Sequence, residues 1–216
     1  MAIANTGSGD AGNTNGTSHS TSITIPSGSD VLIVSGFAFS GTITGATIDG
    51  NAMTLIDTNS TTSVPHTGLF CYLSPPIGSK TLVINSTSGV VVGGVWASYS
   101  GVKQSDQPDS NAKNQATGVS TLTFSTTVVD SDSWLIAAVT ENQGNATAGT
   151  GTTQRVYQSS WGNGIYDSNT GVASGSRSLV VNFATGNIAG VIASFKPAPS
   201  ASNSNFLPNL LTLGVG

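Results

Sequence analysis

Between Ile23 and Phe195, short apolar runs alternate with turn residues and never settle into the three-to-four spacing of an amphipathic helix. Val31-Leu32-Ile33-Val34 runs on to Phe37-Ala38-Phe39, and Ala52-Met53-Thr54-Leu55-Ile56 follows Asp49-Gly50-Asn51. Thr81-Leu82-Val83-Ile84 and the stretch from Val90 to Tyr99 come next. Each run is β-branched or aromatic and is bounded by Gly, Asn, Asp, Ser or Pro, the chemistry of strands and turns. Good helix formers are scarce, and Glu141 is the single glutamate. The pattern predicts an all-β chain.

The runs recur. Ser29-Asp30-Val31-Leu32-Ile33 reads like Asp132-Ser133-Trp134-Leu135-Ile136, with Val31 aligned to Trp134. Gly68-Leu69-Phe70 matches Gly164-Ile165-Tyr166, and Val95-Trp96-Ala97-Ser98-Tyr99 matches Val191-Ile192-Ala193-Ser194-Phe195, both at an offset of 96 residues. Thr81-Leu82-Val83-Ile84 matches Ser178-Leu179-Val180-Val181. Val95, Ala97 and Tyr99 share one strand face, as do Val191, Ala193 and Phe195. A small residue flanked by large ones suits a face packed on another sheet. The expected fold is an antiparallel β-sandwich, jelly-roll-like, built from two pseudo-repeated halves at about 21–102 and 119–197. Two tandem immunoglobulin-like domains would give the same repeat. A single sandwich is preferred because each half has few apolar residues with which to close alone. The polar stretch from Lys103 to Val119 reads as the connection between halves, or as a domain linker.

The ends differ in character. Residues 5–20 are almost entirely Asn, Thr, Gly and Ser, which reads as a polar N-terminal arm spanning 1–20. Residues 198–216 read as a linker followed by an apolar C-terminal tail. In that tail Leu211, Leu213 and Val215 alternate with Thr212 and Gly214 at strand spacing. Phe206, Leu207, Leu210, Leu211, Leu213 and Val215 are therefore candidate subunit-docking residues, received by a neighbouring chain through strand addition or an apolar groove. Folding back onto the chain's own sheets is the alternative.

Composition narrows the function. Charged residues make up 7% of the chain against a usual share of about 25%, so solubility rests on neutral polar groups. The net charge is −4 and the six cations are scattered, which argues against nucleic acid. No apolar run approaches the roughly 20 residues needed to cross a bilayer as a helix. The first residues lack a cationic segment and an apolar core, so synthesis in the cytoplasm without a standard export signal is expected. Cys71 is the lone cysteine, and alternation sets it on a face with Leu69 and Leu73. It reads as a small buried hydrophobe.

The search for chemistry returns little. His19 and His66 have no second ligand at metal spacing, and no nucleophile elbow occurs. Glu141 and Asp167 are the one carboxylate pair worth testing for glycoside hydrolysis. The oxygen-rich run Asp106-Gln107-Pro108-Asp109-Ser110-Asn111 lacks the spacing and glycine of a calcium loop. No enzyme activity and no cofactor is expected. Trp161 lies in Ser159-Ser160-Trp161-Gly162-Asn163-Gly164, and with Tyr157 and Tyr166 it makes a candidate platform for stacking sugar rings.

Three segments carry a family likeness: residues 45–55 (Gly45 to Leu55), Leu73-Ser74-Pro75-Pro76-Ile77-Gly78, and Ala97-Ser98-Tyr99-Ser100-Gly101-Val102. On these the chain, over residues 21–197, resembles a β-sandwich module found in phage virion proteins and bacterial surface proteins. The resemblance implies a structural or adhesive role and carries over no active-site residue. The expectation is a non-enzymatic structural protein of a phage virion, a capsid decoration or cement protein. It would be a homo-oligomer bound to a major capsid protein and located in the virion. A carbohydrate-binding surface module located extracellularly, or a self-assembling filament subunit, is the alternative.

Overall fold

A computed structural model describes residues 1–61, 64–87 and 90–199, so the nominated docking residues Phe206 to Val215 lie outside the described residues. Among the described residues the elements are all strands, and every strand pairing is antiparallel. The first central sheet has the order β1 (Ala4–Thr14), β9 (Val91–Ser100), β3 (Val31–Phe39), β7 (His66–Leu73), β6 (Thr54–Asn59). The second has the order β10 (Ser110–Val128), β15 (Gly175–Phe195), β11 (Trp134–Glu141), β14 (Asn163–Asp167), β13 (Thr153–Gln158). An outer sheet holds β2 (Ser18–Ile25), β8 (Gly78–Ser86), β4 (Ile43–Ile48) and β5 (Asn51–Ala52).

The expected sandwich is the face-to-face pair of central sheets. Val31, Ile33, Leu69, Cys71, Val95, Ala97 and Tyr99 of the first sheet pack against Trp134, Ile136, Ala138, Ile165, Val191, Ala193 and Phe195 of the second. Burial there pushes the Cys71 thiol up to about 11. Each half then adds a further layer. The alternate face of the first sheet, with Leu32, Val34, Phe70 and Val92, is covered by Ile23, Ile25, Ile43, Ile48, Leu82 and Ile84 of the outer sheet. Coverage on both faces explains why Val31-Leu32-Ile33-Val34 of β3 and Val95-Trp96-Ala97 of β9 are apolar without alternation.

In the second half one hairpin serves both layers. Strands β10 and β15 are 19 and 21 residues long. Near their middle the register shifts between Ala116, Val119 and Thr121, where Gly118 adopts φ +66°. Beyond that bend Phe124, Val128, Leu179, Val181 and Phe183 fold over Leu135, Ala137, Val139 and Tyr166 on the outer face of their own sheet. The short strand β12 (Thr147–Ala148) joins this layer by pairing with Val181 and Asn182.

The central sheets also have matching strand orders, with β1, β9, β3, β7 and β6 answered by β10, β15, β11, β14 and β13. Contacts between the sheets come in exchanged pairs: β1 lies against β13 as β6 lies against β10, and β9 against β14 as β15 against β7.

Glycines let the outer layers approach. Gly12, Gly94, Gly36 and Gly68 stand side by side across four strands. A Cβ on Gly94 would lie 2.6 Å from Ile84 Cδ1, and one on Gly68 3.0 Å from Ile43 Cγ2. In the second half a Cβ on Gly190 would lie 2.7 Å from Phe124 Cε1.

Two readings of the sequence need correction. The arm assigned to residues 1–20 is folded into the body: β1 pairs with β9, and β2 pairs with β8. Its poverty in apolar residues suited it to a sheet edge, where backbone hydrogen bonds rather than side chains hold a strand. Small residues also fit under neighbours, since a Cβ on Gly9 would lie 2.9 Å from Trp96 Nε1. Residues 110–119, assigned to a connection, are likewise the first half of β10, paired with residues 186–194 at the opposite edge.

Candidate functional site

The nominated aromatic platform is dispersed. Tyr166 is fully buried within the core beneath the folded-over hairpin. Tyr157 is part-buried, donates a hydrogen bond to Glu141 Oε1, and accepts one from Ala146 N at 3.1 Å. Only Trp161 reaches a cleft, so the three rings share no exposed face, because strand alternation sends Tyr166 inward.

Trp161 sits on a tight turn between β13 and β14, closed by a hydrogen bond from its amide to Gln158 O. Gly162 follows at φ +61°, a backbone conformation that L side chains rarely adopt, and Glu141 N donates to its carbonyl at 2.9 Å. The indole stacks on the buried Phe37 ring, with centroids 6.1 Å apart and planes at 25°. Phe39, at the end of β3, lies 5.9 Å from it at 50°. Beside these rings opens a cleft of about 450 Å³, lined also by Pro65, Asn142, Gln143, Ser159 and Ser160. Below it, Thr140 Oγ1 donates to Pro65 O at 3.0 Å, and Asn163 Nδ2 donates to Ser35 Oγ at 2.8 Å. Both bonds join one half to the other.

Phe39 continues the apolar run from Phe37, yet it remains 38% exposed at the strand end. Pro65, Asn142, Gln143, Ser159 and Ser160 come from separate turns, and no local pattern could have united them.

The carboxylates nominated for hydrolysis are both committed to the fold. Glu141 is 1% exposed, and its oxygens accept from Gln143 N, Asn145 N and Tyr157 Oη. Asp167 is fully buried and accepts from Arg155 Nε at 2.5 Å, Arg155 Nη2 at 3.0 Å, Tyr99 Oη at 2.9 Å and Asn169 N at 2.9 Å. Burial disfavours the Arg155 charge, but Asp167 and Tyr99 outweigh it and raise its pKa. Arg155 also lies over the Trp134 ring at 5.7 Å. His19 Nε2 is tied to Ala11 O at 2.7 Å, and burial lowers the pKa of His66. Among the described residues no group of three His, Cys, Asp or Glu is placed to hold a metal. In the oxygen-rich run, Asp106 pairs with Lys103 at 3.1 Å and Asp109 accepts from Val129 N at 3.3 Å.

These tyrosines give a pH prediction. Burial, then the Asp167 charge, raises Tyr99 well above its ordinary value, and burial, then Tyr157 and Glu141, raises Tyr166. Both rings are fully buried. A pKa raised by folding leaves stability intact below the unfolded value near pH 10 and removes it as pH climbs above that. Each ring is expected to contribute a loss of about 1.4 kcal/mol per pH unit there. Urea titrations between pH 8 and 12 should show a plateau and then a fall, and Tyr166→Phe should make the fall shallower.

Comparison with known proteins adds no relative: no protein-family model, curated protein or solved structure matches this chain.

Proposed function

We propose that the chain is a non-enzymatic structural protein of a phage particle, of the capsid decoration type. It engages neighbouring subunits through its strand edges and the apolar segment 206–216. The observation that carries this reading is the state of the edges. The central sheets end in β1, β6, β10 and β13, and each of these strands carries a single charged residue: Asp10, Asp57, Lys113 and Arg155. Soluble proteins commonly place charges on such edges to block pairing with other chains. Here all four charges are engaged within the molecule. Asp57 pairs with Lys113 at 3.1 Å, Arg155 with Asp167, and Asp10 accepts from Gln158 Nε2 at 2.6 Å. Edge backbone with little repulsion suits close packing with neighbours.

The strand order supports the finer architecture we assign, two copies of a jelly-roll-like unit. Counting β5 and β6 as one strand split between the sheets, the first half pairs first-eighth-third-sixth-fifth in one sheet and second-seventh-fourth-fifth in the other. Jelly rolls serve in viral capsid and lectin domains, so the fold is compatible with this role without assigning it.

The test is deletion of residues 206–216 in the full chain, followed by gradient purification of assembled particles. The shortened chain should keep its thermal transition and lose most of its incorporation. Undiminished incorporation would remove the docking role. Polymers formed by the purified full chain alone, growing with concentration, would assign it to a filament instead.

A further inference from the structure

We propose that the cleft beside Trp161 is a binding site for a neutral sugar ring, a role beyond subunit packing. Its volume of about 450 Å³ lies within the range of small-ligand sites, roughly 300–1,000 Å³. Sugar rings present an apolar face and a rim of hydroxyls, and both have counterparts here. The apolar surface comes from Trp161 and Phe39. Phe37 backs the indole outside the cleft lining and holds it in place before any ligand arrives.

The polar counterparts are open. Asn142 Oδ1 accepts from Asn187 N at 2.8 Å, which anchors that amide, while Asn142 Nδ2 has no partner among the described residues. Gln143 Nε2 donates to Asn142 Oδ1 at 3.3 Å, leaving its Oε1 without a partner, and the hydroxyls of Ser159 and Ser160 are also open. Amides and hydroxyls of this kind serve as both donors and acceptors toward a sugar rim.

Two features fix the ligand class. Glu141 is the one ionisable residue of the lining, and its carboxylate is already saturated by Gln143 N, Asn145 N and Tyr157 Oη. No free charge awaits an acidic or phosphorylated ligand. An apolar side chain from a partner protein would cover the open amides and hydroxyls without satisfying them, at a cost for each group left unpaired. A neutral saccharide satisfies both.

The cleft also depends on both halves. Phe39 and Pro65 come from the first, and Asn142, Gln143, Ser159 and Trp161 from the second. It exists only where the two central sheets are docked.

The experiment is an array of neutral and acidic mono- to tetrasaccharides probed with the full chain, followed by fluorescence titration with the best neutral binder. Trp96 and Trp134 are buried, so the response should come from Trp161. Trp161→Ala and, independently, Gln143→Ala should each weaken binding at least tenfold, with unchanged far-ultraviolet circular dichroism and thermal transition. Gln143→Ala changes an exposed side chain and keeps the test valid should the tryptophan variant unfold. The proposal is overturned by an array without neutral binders, by binding confined to acidic glycans, or by binding that persists in either folded variant. Preferential binding of an apolar peptide at the same cleft would overturn it equally.

Discussion

Asp167→Ala is expected to destabilise the chain by about 3–5 kcal/mol, the usual cost of breaking a buried ion pair from one side. Asp167 sits on β14 in the second half, while Tyr99, which donates to it, sits on β9 in the first. Arg155 grips the same carboxylate with two nitrogens and is itself only 16% exposed. Truncation would strand a guanidinium and a buried phenol together. Tyr99 also packs edge-on against Trp134 at 5.8 Å, so the damage would fall where the halves meet. Urea denaturation should show a lower midpoint at an unchanged slope. Asp167→Asn keeps the shape and part of the hydrogen bonding and should cost less. A loss below 1 kcal/mol for the alanine variant would show that the pair is not what holds this part of the interface.

The second large effect is expected at Phe124. Its ring is fully buried on the folded-over half of β10, directly above Gly190. Phe124→Ala should cost about 3–5 kcal/mol, because the lost ring leaves a cavity that a bent, paired strand cannot collapse to fill. Gly190→Ala attacks the same contact from below and should cost about 1–3 kcal/mol by overpacking. The two should not add, since removing the ring frees part of the space that the new methyl needs. Relief will be partial, because a Cβ at position 190 also lies 2.7 Å from Ala138 O, which belongs to the backbone. Equilibrium denaturation of both single variants and the double variant measures this coupling. Strict additivity would mean that the ring and the glycine do not share one tight contact.

Much of the architecture was legible because strand alternation and composition speak directly of β-structure. Val31-Leu32-Ile33-Val34 was readable as a strand, and Val95, Ala97 and Tyr99 do meet Val191, Ala193 and Phe195 across the central core. Edge strands were illegible for a physical reason. The backbone ladder that fixes β1 and the first half of β10 is indifferent to side chains, so Asn, Gly, Ser and Thr there resemble a linker. The bend that makes two layers from β10 and β15 left only Gly118 and a register shift as its signature. Trp161 was found, but its neighbours were misassigned. Proximity in sequence suggested Tyr157 and Tyr166, whereas the ring it faces, Phe39, lies more than 100 residues away. The Arg155–Asp167–Tyr99 cluster was missed because Asp167 was paired with Glu141, Tyr99 was read as part of a packed face, and the three lie on separate strands.

The pairing of β1 with β9 sets a timetable for synthesis. Asn5 pairs opposite Tyr99, so β1 has no resting place until the residues between them and β9 itself have left the ribosome. At roughly 5–20 residues per second that is a wait of several seconds, with β3 and its apolar faces already emerged. Closure over so long a loop also places this fold among the slow folders. Nascent chains of this protein should therefore depend on early shielding by chaperones.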